Sequence, residues 1–309
     1  MAKDTFRIAT FNAENLFARY RFRKDFDPRA SDGFTINDLA FEVYDETEKR
    51  LTAQAIKEVN ADIIVLQEVE NLLLLDLFNA RYLAGQGYRH RLVIDGNDPR
   101  QIDVAVLSRF PLRNLRTHRH ERNADNTAPL FSRDCLEVEV DLNGKVLTIY
   151  ANHFKSMIET REETYARRLE QVQRVAELVD AAWKLTGYQG NFMVLGDFND
   201  YMEGKTALKP LVAHPQLVNL VDRLPKVERW THYFAGGKRG EKTKQLDYLL
   251  PGKALDQRAG KPKPGIMRKG LPYRAEDYSG PRFDGVGENE PKASDHCPVF
   301  VDIPFSALT

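Results

Sequence analysis

Apolar residues along this chain gather in short runs, and several of the runs stop at an acid or an amide. Phe6–Phe11 ends at Asn12, Ile63–Leu66 leads into Gln67-Glu68, and Phe192–Leu195 leads into Gly196-Asp197-Phe198-Asn199. Asp247 opens a Tyr-Leu-Leu run, and Val299, Val301 and Ile303 alternate just after Asp295-His296-Cys297-Pro298. These runs have the length of strands, as does Val104–Leu107. Leu136, Val138 and Val140 alternate with Glu137, Glu139 and Asp141, and Asn143-Gly144 then precedes Val146–His153. That pattern predicts a hairpin with a two-residue turn.

Helical spacing appears in three places. Leu51, Ala55, Ile56 and Val59 predict a helix over 45–59, and 72–83 reads as a second. Thr160 with Glu163 has the spacing of a capping box. It should open a helix whose stripe is Tyr165, Leu169, Val172, Val175, Val179 and Trp183. Residues 19–35 lack periodicity and read as a loop, and 252–294, heavy in Gly, Pro, Lys and Arg, reads as a long surface loop. Strands alternating with helices, but including a hairpin, predict a mixed-sheet α/β sandwich rather than a doubly wound parallel sheet.

An apolar run that finishes in a carboxylate is costly unless the carboxylate has a partner. By strand parity His153 continues the face of Leu147 and Ile149, Glu68 that of Ile64 and Leu66, and Asp197 and Asn199 that of Met193 and Leu195. These groups should gather at the rim of the sandwich. Clustered carboxylates suit a hard cation such as Mg²⁺, with Mn²⁺ as a substitute. A metal with open positions can polarise a phosphoryl oxygen, and an adjacent imidazole with a carboxylate behind it can move a proton. Without Cys or multiple His ligands, Zn²⁺ should serve poorly.

Composition limits the alternatives. With 42% hydrophobic and 29% charged residues, the chain is of the globular type. Lys+Arg and Asp+Glu balance at 45 each, so affinity for a polyanion must come from local patches. Lys238, Arg239, Lys242 and Lys244 precede Asp247, with Trp230 and Tyr233 upstream. That run reads either as a solvated loop or as a contact to a nucleic-acid backbone with an aromatic ring for a base. Cys135 and Cys297 should be free thiols, with Cys297 a buried, inert one. His118 and His120 carry no clear signal. The start lacks an apolar signal core and no run spans a bilayer, so a cytoplasmic protein is expected; a secreted protein without its leader would look the same.

The ordered set Ile-Ala-Thr-Phe-Asn12, Leu-Gln-Glu68, Ser-Arg109-Phe-Pro, Asn152-His153-Phe-Lys-Ser, Gly-Asp197-Phe-Asn199-Asp, Leu-Asp247-Tyr and Ser-Asp295-His296-Cys-Pro resembles the endonuclease/exonuclease/phosphatase superfamily, the fold of deoxyribonuclease I. It spans residues 8 to 303, so one domain over 1–309 is expected. The resemblance implies a four-layer α/β/β/α sandwich with two mixed sheets. It implies Glu68 as principal metal ligand, with Asn12 and Asp295 at or near the Mg²⁺ or Mn²⁺. His296 would be the general base or the imidazole on the phosphate, oriented by Asp247. Asp197 and Asn199 would contact the scissile phosphate and the attacking water. His153 looks like the second histidine of the deoxyribonuclease and sphingomyelinase branches, and the Asn-His-Phe-Lys-Ser motif is most similar to bacterial extracellular-type nucleases. Arg133 resembles a phosphate-clamping arginine, and Asp103 is a candidate to orient His153.

The function implied is a divalent-metal-dependent phosphodiesterase, an endonuclease acting on DNA or RNA by direct in-line attack of water. No nucleophilic side chain sits among the motifs. The rival on the same fold is a phosphatase or lipid phosphodiesterase of the phosphoinositide or sphingomyelin type, although no long exposed apolar hairpin for a membrane is visible. A catalytically dead scaffold is the reading from another class, and it should have lost some of these acids. Nucleic acid is the expected partner, with no membrane and no obligate protein partner inferred.

Overall fold

A computed structural model describes residues 3–22, 39–43, 46–236 and 243–309. From the N-terminus, β1 (Thr5–Leu16) precedes the paired strands β2 (Ala18–Phe22) and β3 (Leu39–Val43). Then come α1 (Glu46–Val59), β4 (Ile63–Val69), α2 (Leu72–Tyr82), β5 (His90–Val93), β6 (Asp103–Ser108) and β7 (Leu112–Thr117). The middle holds β8 (Cys135–Leu142), β9 (Lys145–His153), α3 (Tyr165–Trp183), β10 (Phe192–Asp197) and α4 (Lys209–Val212). The last third holds β11 (His232–Tyr233), β12 (Thr243–Lys244), β13 (Asp247–Pro251), α5 (Lys253–Arg258), β14 (Gly265–Ile266) and β15 (Val299–Pro304).

Two mixed sheets form the centre, one in the order β14-β15-β1-β4-β6-β5 and the other β13-β10-β9-β8-β7. The parallel pairs are β1 with β4 and β9 with β10. Ile8, Ile63, Val65 and Val106 of the first sheet meet Val138, Ile149, Met193 and Leu249 of the second in a shared apolar core. Behind the first sheet α1 and α2 bury Leu51, Ile56, Leu74 and Phe78 against Phe11, Ile64 and Leu66. Behind the second, α3 buries Val172, Val175 and Val179 against Tyr150, Phe192 and Val194. The result is the expected α/β/β/α order of layers. Each fully buried aliphatic side chain of this kind contributes about 1.5–3 kcal/mol. Among the described residues, no helix is long and apolar enough to cross a membrane.

The hairpin between β8 and β9 turns at Asn143 (φ 61°) and Gly144 (φ 89°), the left-handed pair that a two-residue turn requires. Four sequence expectations need correction. Residues 19–22 belong to β2 instead of a loop, while 23–35 lie outside the described residues. The stretch 113–132 reads as a loop from the sequence, yet 113–117 belong to edge strand β7, hard to see because its outward face is polar and exposed. Thr160 and Glu163 do exchange bonds, the Glu163 amide donating to the Thr160 hydroxyl at 3.1 Å, but α3 starts a turn later at Tyr165. On that helix Arg168 and Gln171 are buried, whereas Tyr165, Leu169 and Trp183 are only half-buried. Finally, 252–294 is no simple surface loop. It supplies α5 and edge strand β14, and Met267, Phe283, Val286 and Ala293 join the core behind the first sheet. These apolar residues are spaced without a period, so pattern reading misses them.

Candidate active site

At one end of the sandwich, strand ends from both sheets surround a cleft of about 880 Å³. Asn12, Glu68, Arg133, His153, Asp197, Asn199, Asp295 and His296 all line it, so the structure brings eight of the nine anticipated residues to one surface. The ninth, Asp247, is fully buried directly behind His296.

On β10, Asp197 is the last residue on the inter-sheet face, two beyond Leu195. Its Oδ1 accepts from the Asn199 amide at 2.8 Å, and its Oδ2 accepts from the side-chain amides of Asn199 at 2.9 Å and Asn12 at 3.1 Å. His153 Nε2 lies 3.4 Å from the same Oδ2, and His296 Nε2 lies 3.8 Å from it. Across the sheet His296 Nδ1 is 2.9 Å from Asp247 Oδ2, which also accepts from the Thr231 hydroxyl at 2.7 Å. The Thr231 oxygen in turn accepts from the Leu246 and Asp247 amides, each at 3.0 Å. His296 is therefore oriented from behind, with Nε2 turned to the cleft.

Glu68 reaches the cleft by a route that strand parity does not give. Ile63 and Val65 face the other sheet, so Glu68, with Ile64 and Leu66, should face the helices. The β4–β6 register shifts between Gln67 and Val69, and Glu68 has φ 64°. This bulge redirects the carboxylate into the cleft and returns Val69 to the helix side. Glu68 Oε1 then accepts from Asn12 Nδ2 at 3.3 Å and Oε2 from the Asn15 amide at 3.0 Å. Asn12 thus ties Glu68 to Asp197 through one amide nitrogen, while its Oδ1 accepts from the Glu14 amide at 3.0 Å.

The electrostatics are those of an under-neutralised acidic site. Burial pushes the Asp197 carboxyl up to about 7, against the pull of His296 and with the push of Asp247. Burial and then Asp295 push Glu14 up to about 7, despite Lys292 at 2.9 Å. Burial alone would lower His296, but Asp247 and Asp197 hold it well above its ordinary value. Burial lowers His153 strongly, helped by Arg133 and His296, so its imidazole is neutral. Carboxylates short of positive partners can hold a divalent cation, and among the described residues ligand atoms of Asp197, Asp247 and His296, and of His232, Asp295 and His296, lie within 4.8 Å of one another.

Arg133 is buried on the cleft wall, its Nε 3.2 Å from Asp98 and its Nη1 donating to the Phe154 carbonyl at 3.3 Å. Asp98 also holds Arg100, at 3.0 Å. Asp103 does not orient His153: it accepts from the Gly96 amide at 2.7 Å, and His153 Nδ1 has no hydrogen-bond partner. Trp230 cannot stack a base, because it is buried with the Arg268 guanidinium 4.2 Å over its ring. Lys244 lines the cleft 4.6 Å from the Tyr201 ring, whereas Lys238, Arg239 and Lys242 lie outside the described residues. Cys297 is buried in a small apolar cluster with Trp230 and Leu271, and burial pushes its thiol up, away from reactivity. His118 is structural, 2.8 Å from Glu121 and 3.4 Å from Glu137.

Sequence reading missed His232. Residues 231–233 run antiparallel to 295–297, with Cys297 N donating to Thr231 O at 2.7 Å and Tyr233 N to Asp295 O at 3.0 Å. His232 Nε2 thereby comes within 3.3 Å of Asp295 Oδ2, and the His232 and His296 rings lie 4.4 Å apart. Two imidazoles and a carboxylate meet here, so the premise that zinc-type ligands are missing does not hold. The pairing is too short to leave a periodic signal; only the Thr-His dipeptide two residues past Arg229 marks it.

A search among curated protein sequences finds no match. Solved structures match throughout. The catalytic domain of human Nocturnin with bound sulfate superposes with a TM-score of 0.62 at 16% identity, over 100% of this chain and 96% of that one. An endonuclease/exonuclease/phosphatase from Beutenbergia cavernae gives 0.62 at 17%, over 98% and 72%. D. rerio TDP2 complexed with single-strand DNA product gives 0.60 at 13%, over 97% and 99%. These likenesses establish the deoxyribonuclease I-like fold. The model of the Endonuclease/Exonuclease/phosphatase family matches residues 7–224, more than two thirds of the sequence, and the chain belongs to that family.

Proposed function

We propose that this protein is a divalent-metal-dependent phosphodiesterase acting on nucleic acid, an endonuclease that hydrolyses DNA or RNA. The observation that carries the reading is the convergence of Glu68, Asp197, Asp295, His153 and His296 on one cleft, with Asp247 locked behind His296. The D. rerio TDP2 complex with single-strand DNA product supports nucleic acid as substrate by analogy of fold.

The residues divide the chemistry as follows. A cation held by Glu68 and Asp295, beside Asn12, would neutralise the phosphate and stabilise the leaving oxyanion. Asp197, with a carboxyl pushed up to about 7, is matched to take the proton of the attacking water near neutral pH. Asn199 and Asn12 hold it in place through its Oδ2. His296, kept cationic by Asp247 and Asp197, presents an N–H to a non-bridging phosphate oxygen. His153 and Arg133 supply the opposite wall of the phosphate site. Water attacks in line, and no covalent enzyme intermediate forms.

The test presents purified protein with supercoiled plasmid, single-stranded DNA, RNA, abasic-site duplex, a phosphoinositide and a phosphomonoester, each with Mg²⁺ or Mn²⁺. Cleavage of a nucleic acid, abolished by excess chelator, is expected. Faster hydrolysis of the phosphoinositide would replace this reading with the phosphatase alternative, and full activity in chelator would remove Glu68 from its role.

A further inference from the structure

Three imidazoles face the cleft, and the phosphodiesterase chemistry uses two. The third, His232, brings its Nε2 to 3.3 Å from Asp295 Oδ2, while His296 Nε2 lies 3.9 Å from Asp295 Oδ1. One ligating atom from each of His232, Asp295 and His296 lies within 4.8 Å of the other two. Ligands of one tetrahedral ion with bonds of about 2.0–2.1 Å sit roughly 3.4 Å apart, so a small closure of these side chains would complete a site.

We propose that His232, Asp295 and His296 form a binding site for a borderline divalent ion, Zn²⁺ or Co²⁺, which shares only Asp295 with the oxygen ligands around Glu68. Two imidazoles and one carboxylate are the donor set of open zinc sites, which leave a fourth position for water or substrate. Mg²⁺ prefers oxygen and gives up water reluctantly, so it competes poorly here. The support behind the ligands has the same character. His296 presents Nε2 because Nδ1 is held by Asp247 at 2.9 Å, and Asp247 is held by Thr231 at 2.7 Å. A carboxylate behind a ligating imidazole fixes its orientation and raises its basicity. His232 is fixed by edge contact with Phe234, ring centroids 4.2 Å apart. All three side chains line the cleft, which gives an ion its path of entry. An ion bound there occupies His296 Nε2, so it withdraws that nitrogen from the substrate phosphate. Zn²⁺ should therefore inhibit Mg²⁺-supported turnover; that consequence rests on the proposed function, whereas binding itself does not.

The experiment titrates Zn²⁺ into the protein by calorimetry in excess Mg²⁺, and records the visible absorption of Co²⁺-loaded protein. One ion per chain is expected. Its Kd should rise at least about tenfold in both His232→Ala and His232→Gln, with the Co²⁺ bands lost, while Glu68→Gln keeps both signals. His232→Gln retains a donor for Asp295 and serves if the alanine variant folds poorly. Absence of Zn²⁺ binding in excess Mg²⁺ overturns the proposal, as does an unchanged Kd and Co²⁺ spectrum in both His232 variants. Wild-type protein that binds Zn²⁺ in this way, yet cleaves no phosphodiester, would support the site and sink the proposed function.

Discussion

Asp247 is the residue on which the orientation of the site turns. It is fully buried, and one of its oxygens faces both the His296 ring and the Thr231 hydroxyl. Replacement by Asn leaves an oxygen able to accept both bonds, but it removes the negative charge that holds His296 above its ordinary value and buries an NH₂ where the other carboxylate oxygen has no partner. Asp247→Asn should lower kcat by at least ~10²-fold, the scale of a lost proton-handling group, and His296→Ala should do the same. Wild-type turnover in His296→Ala would end the role assigned to it. The two substitutions differ in stability. His296→Ala leaves a buried carboxylate short of a cation and should lower Tm, more so than rim residues usually do. Cys297→Ala should keep most activity, since its thiol is buried away from the cleft in an apolar cluster. At this scale the sequence was legible wherever a functional side chain closed an apolar strand, as with Asp197 and His153. It was silent on His232, Thr231 and Glu14, whose roles depend on which distant backbone they touch.

Elements place these side chains by two local departures from regular strand. The bulge at Glu68 costs of order 1–3 kcal/mol for a left-handed non-glycine residue, and it turns the carboxylate from the helix side into the cleft. No alternation pattern encodes such a turn, which is why parity placed Glu68 on the helix side while the structure places it in the cleft. The second departure is Gly196 on β10. Its φ is 140°, and a Cβ there would stand 1.9 Å from the Asn152 carbonyl of β9. Gly196→Ala should destabilise the protein by about 1–3 kcal/mol or more and displace the adjacent Asp197, so that kcat falls along with Tm. A variant with wild-type Tm and turnover would show that β9 and β10 can part at no cost. The Ser-Arg-Phe-Pro motif has a structural task far from the cleft. Arg109 donates to Asp62 at 3.0 Å, Lys3 reaches the same acid at 2.6 Å, and the Arg7 amide donates to it at 2.7 Å. Burial would raise Asp62, but these partners hold it below its ordinary value. An acid lowered on folding contributes stability that is present above its unfolded value of about 3.9 and is lost as pH falls through the folded one. Asp62→Asn should therefore lower Tm at pH 7, and the gap from wild type should narrow as pH drops below about 4. A gap that stays constant down to pH 3 would mean the charge of Asp62 does not matter.

For the whole molecule, the proposed function asks how a chain with 45 cations and 45 anions would hold a polyanion. The cleft wall answers by sharing acids. Arg100 and Arg133 share Asp98, and Arg161 and Arg168 share Asp200, so each group keeps one positive charge beyond its acid. Arg100, Arg133, Arg161 and Lys244 all line the cleft beside its carboxylates, a local set of cations that the balanced net charge does not reveal. A polymer must place several phosphates along these groups, and each neutralised phosphate releases counterions. A small phosphodiester reaches only the metal ligands, the histidines and Asn199. Salt should thus raise KM steeply for DNA and weakly for the small ester. Arg100→Gln with Lys244→Gln spares every residue assigned to the chemistry and removes two of the wall's charges. It should raise KM for nucleic acid and reduce the log–log salt slope by roughly 1.5, about 0.7–0.9 for each lost phosphate contact. Turnover of the small diester should stay near wild type, because Glu68, Asp197 and His296 are untouched. If the double variant keeps the full salt slope on DNA, these side chains are solvated surface. Polymer binding must then come from elsewhere on the molecule, with the basic residues Lys238, Arg239 and Lys242 the next to be replaced.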